Sequence, residues 1–270
     1  MLRLLLLAAS LFSFSARAER ILKSLRTPSA PKIDGLITEA LWFLMSPADS
    51  FINNSPDYGK PASKPTWVWV MYDDEAIYIA AKMYDDPRQI RTQLTARDNE
   101  QRQDVDFFSV FLDTYNDNQN AFQFTVTSRN VQSDVRISMA SMRDYGWDAV
   151  WESHVKMVED GWQLEMKIPY ISLRFSKAEV QKWGVNFNRF TRTNNESAYW
   201  NPINPNIAGL VNQFGSLEGI EHVKPSLRLS FLPYISSGYR STPVAGSREN
   251  EFLDRKSTRL NSSHEWISRM

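Results

Sequence analysis

Val105-Asp106-Phe107-Phe108-Ser109-Val110-Phe111-Leu112-Asp113, then Thr114-Tyr115-Asn116-Asp117-Asn118, then Ala121-Phe122-Gln123-Phe124-Thr125-Val126-Thr127 is the stretch whose reading decides the fold. The first run is apolar almost throughout, the middle is rich in turn formers, and the last run alternates strictly. That order of strand, turn and strand is a hairpin signal. A near-continuous apolar strand is buried on both faces, whereas alternation sends Phe122, Phe124 and Val126 to one face and Gln123, Thr125 and Thr127 to the other. The first set is expected to make core, and the second to be free for binding. Asp104, Asp106 and Asp113 bracket the apolar run at the strand ends.

Working outward, Thr66 to Tyr72 and Ala76 to Met83 form a second hairpin across Asp73-Asp74-Glu75, closed by Asp85-Asp86-Pro87. Upstream, Asp34-Gly35 reads as a turn, Thr38 as the cap of a short helix, and Trp42 as a ring tucked under a sheet. Arg88 to Arg102 is polar, a loop with a short helix. Downstream, Val131 to Met139 is a strand, and Trp162, Leu164, Met166 and Ile168 alternate until Pro169 ends their strand. Ser176 and Glu179 have capping-box spacing for a helix to Trp183, stopped by Gly184, before a strand from Val185 to Arg192. Strands at this spacing with only brief helices predict an all-β chain, an antiparallel β-sandwich of jelly-roll type with short helices.

The chain has 270 residues, 42% hydrophobic, enough for a core of ordinary size. Thirty-one basic residues balance 31 acidic ones, so no global field draws in nucleic acid or an anionic membrane. The 9 Trp, 10 Tyr and 15 Phe suit pleated sheets and also suit stacking on sugars or bases. With no cysteine, stability rests on the packed core or on bound ions.

Residues 1–18 have the form of a secretory signal peptide: a positive start at Arg3, an apolar run from Leu4 to Phe14, and Ala16-Arg17-Ala18 as a small-x-small cleavage site. Residues 19–30 read as a linker and 31–222 as the sandwich. From 223 to 250 the pattern changes, with Leu227, Leu229, Phe231 and Tyr234 in a new alternating stretch. It fits one more sandwich strand or the first strand of an outer-membrane barrel. Residues 251–270 resemble the translation of a sequencing adaptor, are set aside as non-native, and are expected to be disordered.

Ile33-Asp34-Gly35 with Glu39 and Trp42, Tyr72-Asp73-Asp74 with Ile77-Tyr78-Ile79, Phe107 to Asp113, Trp147 to Glu152, Gly161-Trp162, Ile168-Pro169 and Trp183 to Phe187 follow one another in a familiar order. Together they resemble the family 9 carbohydrate-binding modules, in the subgroup placed ahead of an uncharacterised region thought to form an outer-membrane β-barrel. The resemblance implies a β-sandwich holding a glycan between aromatic side chains, with structural calcium in some members and no required cofactor. It further implies an exported protein of a Gram-negative periplasm or outer membrane. The partners would be a glycan and, through the C-terminal region, the outer membrane.

Among candidate sites, Trp147 lies in a polar loop beside Asp148, and Trp151 beside Glu152, rings next to hydroxyl acceptors. Trp151 reads more readily as the inward start of a strand, and for Trp147 packing is an equal reading. Tyr199, Trp200 and Asn201 make a second aromatic group, for which packing is an equal reading. Asp113, Asn116, Asp117 and Asn118 carry oxygens for calcium, as do Asp73, Asp74, Asp85 and Asp86, but neither set follows the regular acid-Gly-Glu loop, and ordinary turn chemistry explains both. His154, His222 and His264 do not cluster, and no zinc spacing, phosphate loop or nucleophile elbow is present. Two rivals to a non-catalytic binding module stay open: a glycoside hydrolase or its accessory domain, acting on O-glycosyl bonds with two opposed carboxylates, and a structural or docking domain for a barrel.

Overall fold

The computed structural model describes residues 19–99, 103–225, 229–245 and 247–262. The expected signal peptide lies outside them. The chain divides into two units, one up to Lys224 and one from Pro225.

The first unit is a sandwich of two sheets. Its strands are β1 (Ile21–Lys23), β2 (Leu25–Arg26), β3 (Ile52–Ser55), β4 (Thr66–Tyr72), β5 (Ala76–Tyr84), β6 (Phe107–Asp113), β7 (Ala121–Thr127), β8 (Gln132–Ser138), β9 (Met142–Asp144), β10 (Glu152–Val158), β11 (Gly161–Pro169), β12 (Val180–Thr191), β13 (Glu196–Tyr199) and β14 (Gly215–Glu221). The larger sheet has nine strands, ordered β1-β14-β12-β6-β7-β8-β9, with β13 on β12 and β3 on β13. The smaller has five, ordered β10-β11-β5-β4-β2. The second unit, described by itself, is a hairpin of β15 (Leu229–Val244) and β16 (Ser247–Ser262).

The β6–β7 hairpin lies at the centre of the large sheet, with Phe107 opposite Thr127 and Leu112 opposite Phe122. Phe108, Val110, Leu112, Phe122, Phe124 and Val126 face the small sheet and join Ile77, Ile79, Leu164, Met166, Trp183 and Phe187 in the main core. Each such side chain taken from water contributes roughly 1.5–3 kcal/mol. The opposite face, expected to be free, is buried at Gln123, Thr125 and Thr127 as well. One end of that face is covered by remote chain: Ile203, Val211 and Phe214 pack on Phe111, Ala121, Val135 and Ile137. Trp42 is fully buried on the outer side of the small sheet with Trp69, Met71 and Tyr78.

Arg189, on the core side of β12, fastens the two sheets. It donates to Asp85 Oδ2 at 2.9 Å and to the carbonyls of Pro65 and Tyr84 at 3.0 Å, while Lys64 Nζ approaches Asp85 Oδ1 at 3.0 Å. Burial lowers the Arg189 pKa, and Asp85 opposes that.

Four expectations change. The helix from Ser176 to Trp183 is absent: Gln181 Nε2 bonds the carbonyls of Ser176 and Ala178, and Trp183 is drawn into the core as part of β12. The short helix near Trp42 exists as a 3-10 turn, Ala40–Leu44, but follows Glu39 without a side-chain cap from Thr38. The stretch 19–30 is no free linker, because β1 pairs parallel with β14 and β2 parallel with β4. The tail expected to be disordered contributes β16 as far as Ser262. A long continuous ladder satisfies its backbone there, whatever the origin of the residues.

Candidate functional site: a cleft on the outer face of the large sheet

On the side of β6, β7 and β12 facing away from the core, the register aligns three rows. Phe190 lies beside Phe107, Asn188 beside Ser109, and Asn186 beside Phe111, while Ser109 faces Thr125 and Phe111 faces Gln123 across the hairpin. Strand β13 adds Tyr199 opposite Asn188 and Ser197 opposite Phe190. Because side chains alternate along each strand, these residues share one face although they come from distant parts of the chain. Between the rows lies a cleft of about 300 Å³, lined by Phe107, Ser109, Phe111, Gln123, Arg143, Asn188, Phe190, Ser197 and Tyr199.

Its aromatic rings sit at two ends. Phe107 and Phe190 stack with centroids 4.9 Å apart and planes 15° from parallel, and Tyr199 tilts over Phe111 at 6.2 Å. Phe190 and Tyr199 are half-buried and so keep ring surface open. The polar row between them is ordered by its own bonds. Arg143 Nη1 donates to Gln123 Oε1, Gln123 Nε2 donates to Thr125 Oγ1 at 3.0 Å, and Ser109 and Thr125 share a hydroxyl bond of 2.8 Å. Asn188 Nδ2 donates to Ser197 Oγ at 2.9 Å and to the Ala198 carbonyl at 3.1 Å. Burial raises the Tyr199 phenol, with Arg143 and a bond to Ser197 opposing it, so it stays a neutral hydroxyl. The rings at the two ends can take the C–H face of a ring-shaped ligand, while the buried floor of Ser109, Gln123 and Asn188 fixes the half-buried polar groups Arg143 and Ser197 beside them.

A larger cleft of about 1020 Å³ lies along residues 20–25 and 44–50. Trp200 is the one aromatic ring among its lining residues, and it is 4% exposed. The smaller cleft has the better chemistry for a sugar.

The residues singled out from sequence are scattered. Trp151 is 6% exposed, packs on Phe124 at 5.3 Å and points its indole N–H at Asp134. Trp147 is half-buried against Phe122 at 5.0 Å and Phe124 at 5.9 Å. Both thus contribute to the core beneath the sheet. Asp148 and Glu152 are exposed, Asp148 lying 3.9 Å from Arg97. Trp200 packs on Phe187 in the core, and Asn201 ties β12 to the following loop through Asn186 and the Gln213 carbonyl. Of the seven, Tyr199 alone lines the outer-face cleft. The others in that cleft had one legible signal: polar residues alternating inside strands otherwise apolar, as in Asn186-Phe187-Asn188 and Phe108-Ser109-Val110.

The acidic turn after β6 is held by its own hydrogen bonds. The buried Asp113 carboxylate accepts from the N–H groups of Asp117 at 3.2 Å and Asn118 at 2.8 Å, while Asp117 Oδ1 accepts from Gln119 and Asn120. Asn116 and Asn118 hold positive φ, as Asn does in tight turns. Burial raises the Asp113 pKa. Among the described residues no three His, Cys, Asp or Glu side chains converge on a metal site. Asp73 serves its own turn and the Tyr78 hydroxyl, and Asp85 is held by Arg189 and Lys64.

No curated protein matches the chain. Solved structures do. A family 9 carbohydrate-binding module of Caldicellulosiruptor kristjanssonii in complex with glucose aligns with a TM-score of 0.55 at 17% identity, covering 74% of this chain and 95% of that one. The same organism's module in complex with cellotriose aligns at 0.54 and 17%, covering 74% and 93%. A protein of Bacteroides uniformis ATCC 8492, described as a candidate carbohydrate-binding protein, aligns at 0.58 and 12%, covering 74% and 99%. At these identities the likeness is one of fold. The model of the family described as carbohydrate family 9 binding domain-like matches residues 33–207, most of the sandwich, and on that match the chain belongs to this family.

Proposed function

We propose that this chain is a non-catalytic glycan-binding module, and that the cleft on the outer face of the large sheet is where the glycan sits. The observation that carries the reading is the pairing of open rings, Phe190 and Tyr199, with the ordered polar row of Asn188, Ser197, Ser109 and Gln123 between them. Family membership and the glucose and cellotriose complexes of neighbours with this fold support a sugar as the ligand. Among the described residues the lining includes no carboxylate, whereas glycoside hydrolysis ordinarily uses two flanking the bond. This supports recognition without bond breaking. The leader-like residues 1–18 and the alternating pattern after Pro225 support placement of the module in an exported envelope protein ahead of further strands.

Isothermal calorimetry with a neutral and an acidic oligosaccharide panel tests the site. Phe190→Ala and Asn188→Ala are expected to weaken binding by about tenfold each, since a lost ring contact, or the lost ordering of Ser197 together with the Asn188 Oδ1 acceptor, is worth roughly 1–2 kcal/mol. Trp147→Ala is expected to lower thermal stability and leave affinity within about twofold. Binding that survives both cleft substitutions and disappears with Trp147→Ala would move the site to the aromatic loop. Sugar release from the panel, abolished by changing one carboxylate, would replace the binding module by a hydrolase.

A further inference from the structure

The charge inside the cleft is one-sided. Among the described residues its lining holds one cation, Arg143, and no carboxylate. Arg143 comes from β9, the edge of the sheet, and reaches over Gln123. Among the described residues no carboxylate pairs with it: its neighbour Asp144 lies on the opposite face of β9 and is taken by Arg136 at 2.7 Å. At the other end, the Arg192 guanidinium lies 6.0 Å from the centre of the Phe190 ring, with its Nε 3.9 Å from Asp104, which is largely exposed.

The hydrogen-bond capacity is one-sided as well. The Gln123 amide is spent on both sides, its oxygen on Arg143 and its nitrogen on Thr125. Arg143 uses one of its five N–H donors in that bond, and the rest are available beside the open ring of Tyr199. A neutral sugar offers hydroxyls that both donate and accept. A site for it gains from carboxylate acceptors, which this cleft lacks. A half-buried guanidinium without a counter-charge, held by a fixed amide and facing a ring-lined cleft, instead matches a planar carboxylate, which it can take with two parallel bonds.

We infer that the cleft recognises an acidic glycan, one whose residue in the cleft is a uronic acid with its carboxylate on Arg143. This rests on the reading of the cleft as the glycan site and names its substrate class. Phe190 and Tyr199 supply the stacking surface, Asn188 and Ser197 the hydroxyl contacts, and Arg143 the discrimination between an acid and its neutral counterpart.

The test compares trigalacturonic acid, its fully methyl-esterified form and cellotriose by calorimetry on the whole chain, in low salt and at about 0.15 M. The acid is expected to bind about tenfold or more tightly than the ester, the scale of a hydrogen bond to a charged group, and to weaken with salt. In Arg143→Gln the acid-to-ester ratio falls to near one. In Arg143→Lys, which keeps the charge and loses the fork, it falls part way. Either variant serves if the other folds poorly. Equal affinity for acid and ester, or preference for cellotriose, overturns the uronate assignment and leaves the cleft as a glycan site. If none of the three binds, the inference falls together with the reading it rests on.

Discussion

Single residues show where this sandwich stores electrostatic cost. Glu165 on β11 is 0% exposed, and its Oε2 accepts from the N–H groups of Asp34 and Gly35, each at 3.0 Å. Oε1 has no partner. Burial first, then the nearby Glu39 and Asp34, push its pKa up to about 7, and the two N–H bonds only partly oppose this. A folded-state value above the unfolded one means that the native state binds more protons between roughly pH 4.5 and 7. Stability from this group is therefore greatest below pH 4.5 and is lost as pH rises toward 7. Glu165→Gln keeps an acceptor for the Asp34-Gly35 turn and cannot ionise. Urea titrations of both proteins from pH 4 to 8 are expected to show the variant gaining on the parent as pH rises, by on the order of 3 kcal/mol at most. A difference flat across that range would show that Glu165 does not titrate there. The residue scale is also where sequence reading was weakest. Trp151 and Trp200 carry no mark distinguishing a stacking ring from a packed one, because an indole is suited to both and the choice is made by strands distant in the chain.

Elements were more legible than residues. The alternation of Ala121 to Thr127 predicts β7 with its observed ends, and the apolar run before it predicts β6 to within its first residues. Hairpins are local, so period and turn chemistry suffice. Ser176 to Trp183 shows the limit: a sound capping signal was overridden by the burial of Trp183 among Tyr170 and Phe175. The turn between β10 and β11 depends on one glycine. Gly161 has φ +142°, and a Cβ there would lie 2.0 Å from the Met83 carbonyl oxygen, with no flexible side chain to yield. Gly161→Ala is expected to cost more than about 1 kcal/mol, read as a lower urea midpoint with unchanged slope. An unchanged midpoint would mean that β5 and β11 separate more easily than their register implies. The outer-face cleft was not legible at this scale. Its floor joins strands more than 80 positions apart, Phe107 to Phe190, and their register is a tertiary fact.

At the scale of the molecule, composition and strand spacing were enough to expect a sandwich, but not the role of its first residues. Strand β1 runs parallel to β14, the last strand of the first unit, with Ile21 beside Ser216 and Lys23 beside Glu218. Ser24 N–H donates to the Glu218 carbonyl at 2.8 Å, and Ser216 N–H to the Arg20 carbonyl at 2.8 Å. Two parallel strands entered from opposite ends of the sequence form a mechanical clamp. Tension between residue 19 and Lys224 draws them along each other, so their evenly spaced bonds bear the load together instead of parting one by one. Forced unfolding reports the unfolding barrier. With optical-tweezer handles at Glu19 and Lys224, Ser24→Pro, which deletes both the N–H bond and the hydroxyl bond of Ser24 to the Glu218 carbonyl, is expected to unfold under load roughly tenfold faster or more, the rate equivalent of one to two hydrogen bonds. Equal rates would place the barrier elsewhere. A unit whose first and last strands are locked side by side is built to stay folded when its two ends are pulled apart.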